Sequence, residues 1–261
     1  MNEAQYTVEN TDAAYQLDWS YSLFWRESPT TWEWVGELPK VMEQDSIRVL
    51  NHKFAPPRVS QFLISTTPDV SPMLIAQRLK GRLQHWLKGV VSQPFQRNYA
   101  LRSLGSTKRD KVEAYLASQL RHHKLADERF EQKLAKYQIV DNSVDLSAPR
   151  ETAHARYWYN LHLVFVTPDR EWHADEEFFA KLQAMVIGAA RKKGHWLSRA
   201  SLLPDHVHLA LGCELSESPE TVALSYMNNL AHSVQAAAFE HRYWVGTFGE
   251  YDLGAVKADV Y

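Results

Sequence analysis

Apolar and polar positions along the chain fall into short strand-like runs separated by longer helical periods. Tyr21–Trp25 and Tyr157–Val166 are aromatic-rich runs of strand character, and Val59–Ser65 and His206–Gly212 are two more. Between and after them, 3.6-residue periodicity predicts helices over Thr31–Gln44, Ser71–Lys88, Ala174–Lys193 and Pro219–His241, with a further long helix over Lys111–Tyr137. The order strand, helix, strand, helix occurs twice. Strands closed by helices in this way make a mixed α/β or α+β domain with helices laid on a sheet.

The two halves also resemble each other residue by residue. Val59-Ser-Gln-Phe-Leu-Ile-Ser65 followed by Ser71-Pro72 aligns with His206-Val-His-Leu-Ala-Leu-Gly212 followed by Ser218-Pro219 at a constant offset of 147. Phe95–Gly105 aligns with Phe239–Gly249 at an offset of 144. Such self-similarity implies two copies of one small domain. The expected division is 15–137 for the first copy, 138–153 for a linker and 154–261 for the second, because Gln138–His154 is polar, contains proline and has no sustained period. Two such domains in one chain would act as a covalently joined dimer.

Composition narrows the class. Of 261 residues, 45% are hydrophobic and 23% charged, with 10 Gly and 11 Pro, which excludes collagen-like, low-complexity and disordered chains. No apolar run approaches the ~18 residues of a membrane span, and the opening MNEAQYTVEN lacks the basic-then-apolar order of a secretion signal, so the expectation is a cytoplasmic protein with no membrane partner. The single cysteine, Cys213, is expected to be a small core residue.

The net charge of −2 hides an asymmetry. Residues 1–50 carry nine acids against three bases, whereas Arg78 to Lys124 carries eleven Lys and Arg against Asp110 and Glu113, with Trp86, Phe95 and Tyr99 among them. Bases interleaved with aromatic rings suit a nucleic-acid surface, although such a block also suits a solvated helix face.

Leu203-Pro-Asp-His206-Val-His208-Leu-Ala-Leu211 sets two histidines two apart on a strand, so both imidazoles leave the same face about 7 Å apart along the chain. Such a pair can chelate one divalent ion, and it can equally be a satisfied pair with no metal. Elsewhere, Tyr115 and Gln119 in Val112-Glu-Ala-Tyr-Leu-Ala-Ser-Gln119 are i and i+4 and share one helix face.

Taken together, these segments resemble the single-tyrosine HUH transposases, the family of IS200-like insertion-sequence and REP-associated tyrosine transposases. The resemblance rests on the His-hydrophobic-His strand at His206–His208, on Tyr159–Thr167 as a first strand, on Leu79-Lys-Gly-Arg82 as a basic helix after a Ser-Pro turn, and on the Tyr115/Gln119 helix. It implies an α+β fold of two tandem ferredoxin-like HUH domains, each an antiparallel sheet with helices on one face. It also implies a transposase-like single-stranded DNA endonuclease and strand transferase that acts on hairpin-containing DNA and forms a 5′-phosphotyrosine. The cofactor would be Mg²⁺ or Mn²⁺, held by His206, His208 and Gln119, with a tyrosine as nucleophile.

The two copies keep different parts. In the first, Val59 and Gln61 stand where the second has His206 and His208, while the Tyr115/Gln119 helix is complete. In the second, the tyrosine candidate is Tyr261, with no Gln four positions later in the sequence. Members of the family work as dimers in which the tyrosine helix of one subunit completes the metal site of the other. Transferred to this chain, that implies one composite site with Tyr115 as the favoured nucleophile and Tyr261 as its competitor. Lys80, Arg82, Lys88, Arg97 and Arg102 are the candidate contacts to the DNA backbone. Alternative readings are a non-catalytic DNA or RNA hairpin-binding protein and an unrelated His-x-His metal hydrolase with a water nucleophile. His162 has no partner at chelating spacing and reads as structural or surface.

Overall fold

The computed structural model describes residues 4–27, 29–88, 90–122, 128–235 and 237–251. The first half contains β1 (Asp12–Gln16), β2 (Asp18–Trp25), α1 (Trp34–Glu43), β3 (Ile47–Ala55), β4 (Val59–Thr66), α2 (Pro72–Trp86), β5 (Phe95–Leu104), α3 (Arg109–His122) and α4 (Glu128–Ala135). The second contains β6 (Ile139–Val140), β7 (Arg150–Glu151), β8 (Ala155–Trp158), β9 (Asn160–Val166), α5 (Glu176–Lys193), β10 (Trp196–Leu202), β11 (His206–Gly212), α6 (Pro219–Val234) and β12 (Arg242–Phe248).

Two mixed sheets result, ordered β3-β4-β2-β5-β8-β7 and β1-β12-β9-β11-β10-β6. Each has a four-stranded antiparallel centre, β3-β4-β2-β5 or β10-β11-β9-β12, built in the same chain order of strand, helix, strand, strand, helix, strand. Local chemistry repeats as well. Ser71 and Ser218 are extended N-caps whose hydroxyls accept from Leu74 N and Thr221 N, and each precedes a proline that needs no N–H in a first turn.

The sheets are knitted together at their edges. β1 runs straight into β2 yet pairs in parallel with β12, and β8 runs into β9 yet pairs in parallel with β5. The chain therefore changes sheet at Leu17 and again at Tyr159, both buried. This corrects the expectation of one strand over Tyr157–Val166: the apolar run is continuous because both of its halves are buried, in different sheets. At the seam the Ser103 hydroxyl accepts from Asn160 N at 3.1 Å and donates to Phe248 O at 2.6 Å, while Thr247 Oγ1 accepts from Asp18 N at 2.9 Å. Trp19 and Tyr159 meet across it with ring centroids 5.3 Å apart, and one apolar core cluster runs through both sheets.

Beyond the seam, Arg109 N donates to Gly249 O at 2.7 Å, Lys108 bridges Gly249, and α3 starts there. That helix packs on β10 and β11 of the second sheet, on the face opposite α5 and α6. The expectation of helices on one face holds for the helices inside each strand-helix unit, but α3 covers the other face. It can do so because that face offers small and polar side chains, with Ala210 packed beside Val112, Leu116 and Phe248.

Other boundaries moved for local reasons. The helix expected to reach His241 stops at Val234, where Gln235 turns into the left-handed region at φ 56°. The long helix expected over Lys111–Tyr137 is replaced by α3 and α4. Residues 138–153 contribute β6 to the second sheet and β7 to the first. There the Gln138 side chain serves as a strand partner, donating to Leu202 O at 2.9 Å and accepting from Leu202 N at 3.1 Å, and Leu146 is buried. Cys213 is fully buried, as expected of a core residue. Among the described residues no helix is long and apolar enough to cross a membrane.

Candidate active site

Strand alternation sends His206, His208 and Ala210 to the α3 side of the second sheet, and Val207, Leu209 and Leu211 into the main core. Both histidines are buried, at 6% and 5% exposure. His206 Nδ1 lies 2.6 Å from Asp205 Oδ1, and the other oxygen of that carboxylate takes Arg170 Nη1 at 3.0 Å. Burial alone would raise the Asp205 carboxyl. The His206 hydrogen bond and Arg170 outweigh it and hold the group below the usual carboxylate range.

His208 Nδ1 lies 2.9 Å from His162 Nε2 on the neighbouring β9, with the two rings stacked at 5.2 Å. Strand pairing brings them together: His162 faces Ala210, one position diagonal to His208. His162 is therefore a site residue, not an isolated one. The first sheet makes the corresponding cross-strand contact between β2 and β4, where Gln61 Nε2 donates to Ser20 Oγ at 2.9 Å, and in both sheets only strand pairing brings the two residues together. Desolvation pushes His162 down to about 4, so its ring is neutral at pH 7. The unfolded chain then binds more protons than the folded one between about pH 6.5 and 4, and stability present above that window is lost as pH falls through it. A drop on the order of 2–3 kcal/mol is expected between pH 7 and 4.5 from this group. His162→Asn should remove that part of the dependence, measured as urea midpoints at the two pH values.

The tyrosine comes from the other half of the chain. On α3, Tyr115 sets its ring edge-on to His208, with centroids 5.8 Å apart and planes at 89°, yet it stays 47% exposed. One turn further, Gln119 is 2% exposed and donates its amide N–H to the Tyr115 carbonyl at 3.2 Å. Helix geometry sets Gln119 about 6 Å further along α3 than Tyr115 and on the same face. Glu113 anchors the helix: it accepts from Ser198 Oγ of β10 at 2.5 Å and pairs with Arg109 at 2.6 Å, while Arg109 also reaches Glu250. Tyr261 lies outside the described residues.

Among the described residues no group of three or more His, Cys, Asp and Glu is arranged to hold a metal ion. Two imidazoles and a carboxamide are a different donor set. The Asp205 carboxylate can only accept, so His206 Nδ1 donates and Nε2 is its lone-pair nitrogen, a second-sphere arrangement that suits metal-binding histidines; His208 Nε2 has the same role in the tautomer whose Nδ1 donates to His162 Nε2. In chemistry, nitrogen with amide oxygen suits Mn²⁺ better than Mg²⁺, which prefers oxygen alone.

The candidate DNA contacts divide. Lys80 donates to the carbonyls of Gln96, Arg97 and Asn98, and burial pushes its ammonium down to about 8. Arg82 is held by both oxygens of Asp45, and the Arg102 guanidinium stacks 3.4 Å from the centre of the Trp158 ring. These three have work in the fold. Arg97, by contrast, lines an open polar depression of about 410 Å³ with Arg26 and Arg58, and Lys88 lies exposed beside another of about 510 Å³.

No curated protein matches the chain. Residues 155–259, a span that contains His162, His206 and His208 but not Tyr115 or Gln119, match the family model described as transposase IS200 like.

Proposed function

We propose that the protein is a transposase-like single-stranded DNA endonuclease and strand transferase, built as two tandem ferredoxin-like HUH domains fused into a pseudo-dimer. The observation that carries this reading is the position of Tyr115, delivered by the first half onto His208 of the second. The repeated strand order and the paired caps support the duplication, and the family match supports transposase chemistry in the second half.

In this reading the Tyr115 oxygen attacks phosphorus of a phosphodiester in a DNA strand, forming a Tyr–O–P bond. The phenol gives up its proton as that bond forms, the P–O3′ bond breaks, and the 3′ oxygen leaves with the electron pair and takes up a proton, so that a 5′-phosphotyrosine and a free 3′-hydroxyl result with no net change in protons. Exposure of the phenol lets a strand reach it, and the T-shaped contact with His208 fixes its direction. Asp205 fixes the tautomer of His206 by accepting from its Nδ1, and His162 orients the His208 ring by stacking and hydrogen bonding at its Nδ1. His206, His208 and Gln119 would hold a divalent cation, Mg²⁺ or Mn²⁺, which when bound supplies Lewis-acid polarisation of the phosphate oxygens. The DNA partner would be a hairpin with single-stranded flanks, its backbone met by exposed bases such as Arg97 and Lys88.

The test is a denaturing gel with labelled hairpin DNA and Mn²⁺. An adduct that survives denaturation is expected from the wild type and is expected to vanish with chelator or in His208→Ala, while hairpin binding persists. Val59 and Gln61, which replace the histidines in the first half, favour the second reading, a hairpin-binding protein without cleavage. Binding with no adduct from the wild type would decide for it.

A further inference from the structure

Beside Tyr115 the two halves enclose a cavity of about 400 Å³, within the range of small-ligand sites. Its walls come from both halves of the chain around the second sheet: Gln16 of β1, Thr107 before α3, Lys111 and Tyr115 on α3, His162 of β9 and Trp244 of β12. Trp244 is its broadest surface. The indole stands edge-on to His162, with centroids 4.9 Å apart at 70°, and lies across Gly246, two residues further along the same strand face. A side chain at 246 would overlap the indole ring atoms, so the glycine is what lets the ring lie flat against the strand. At the rim are a carboxamide, a hydroxyl and one cation; the Gln16 amide nitrogen makes a long 3.3 Å contact to Asp18 Oδ2.

We propose that this cavity is a nucleobase subsite that takes one unpaired base of the nucleotide flanking the phosphate attacked by Tyr115. The assignment rests on the single-stranded DNA reading above and adds to it the element that makes cleavage base-selective. A flat aromatic wall stacks any base and gives affinity without choice. Choice requires directional groups at the base edge, and the carboxamide of Gln16 can donate to and accept from one base edge together. Lys111 at the mouth lies where the adjoining phosphate would pass. Because Gln16 and Tyr115 belong to the first half and Trp244 to the second, the subsite exists only while the seam is closed.

The experiment is a binding selection with chelator present, so that no strand is cut, from a pool of single-stranded DNA carrying a hairpin with randomised stem, loop and flanks. The full chain is compared with Gln16→Ala, Trp244→Phe and Gly246→Ala, each first checked for a wild-type unfolding transition. For the wild type, one unpaired flanking position is expected to favour one base about tenfold. That preference is expected to fall to about twofold or less in Gln16→Ala, a substitution at the sheet edge. Trp244→Phe and Gly246→Ala, which keeps the indole but tilts it, should both lower occupancy with the same base still preferred, and the stem and loop preferences should not move. A flank preference that survives Gln16→Ala unchanged, or a flank occupancy that Trp244→Phe and Gly246→Ala leave unchanged, would overturn the subsite and leave the single-stranded DNA reading standing. Enrichment of no DNA by the wild type would overturn both.

Discussion

Tyr115→Phe is expected to abolish the covalent protein–DNA adduct and to slow strand cleavage by about a thousandfold or more, with hairpin binding within about twofold of the wild type. Only the phenol oxygen is removed. The ring that meets His208 edge-on remains, and so does the helix that Glu113 ties to Ser198, so the fold and the histidine pair have no reason to change. A half-exposed tyrosine loses little stability when its hydroxyl goes, because no hydrogen bond of a buried group is broken. Adduct formation on a denaturing gel and single-turnover cleavage with Mn²⁺ measure the effect. Tyr261→Phe is the informative control: loss of the adduct there, with Tyr115→Phe still active, would transfer the nucleophile to the second half and dissolve the composite site.

Gly249→Ala is expected to be the most destabilising single methyl in the described residues, at roughly 3 kcal/mol or more, lowering Tm by about 6–12 °C. The added carbon would overlap the Ser103 carbonyl oxygen, which is backbone and cannot swing aside as a side chain can. Gly105 faces the reciprocal problem, since its Cβ would come to 2.6 Å from Thr247 O and 3.1 Å from Phe248 Cα. Both glycines mark the seam where β5 and β12 approach each other. Strain at 249 also reaches the site, because the Gly249 carbonyl accepts from Arg109 N where α3 begins. Gly188→Ala in the interior of α5, with nothing within 4 Å of the added carbon, is the matched comparison and should instead stabilise by about 0.5–1 kcal/mol. Equal Tm values for the two variants would show that the seam is free to open.

Much of the fold could be read from local pattern. The strand at His206–Gly212, the Ser-Pro helix starts at 71 and 218 and the offset between the halves depend on residues close together in the chain, where periodicity and capping chemistry act. Helix ends were less legible. Gln235 ends α6 by adopting a left-handed conformation that glycine, the usual stop signal, would have announced.

What the amino-acid sequence determined by itself is a doubled strand-helix pattern, a pair of histidines on one strand face and a Tyr–Gln pair on one helix face. Each follows from a spacing of two or four residues, which backbone geometry converts directly into a shared side. Which partners those side chains meet was decided only by the tertiary structure. His162 becomes the neighbour of His208 because β9 pairs with β11, and Lys80, Arg82 and Arg102 are engaged by carbonyls, a carboxylate and an indole that lie far from them in the chain. Residues 138–153, polar and without period, still give one strand to each sheet, because an edge strand of two residues needs backbone partners and no hydrophobic pattern. The crossing of α3 to the second sheet rests on the same kind of cause. It is set by the close backbone approach at Gly105 and Gly249 and by an open face over Ala210, and both exist only once the two halves have come together.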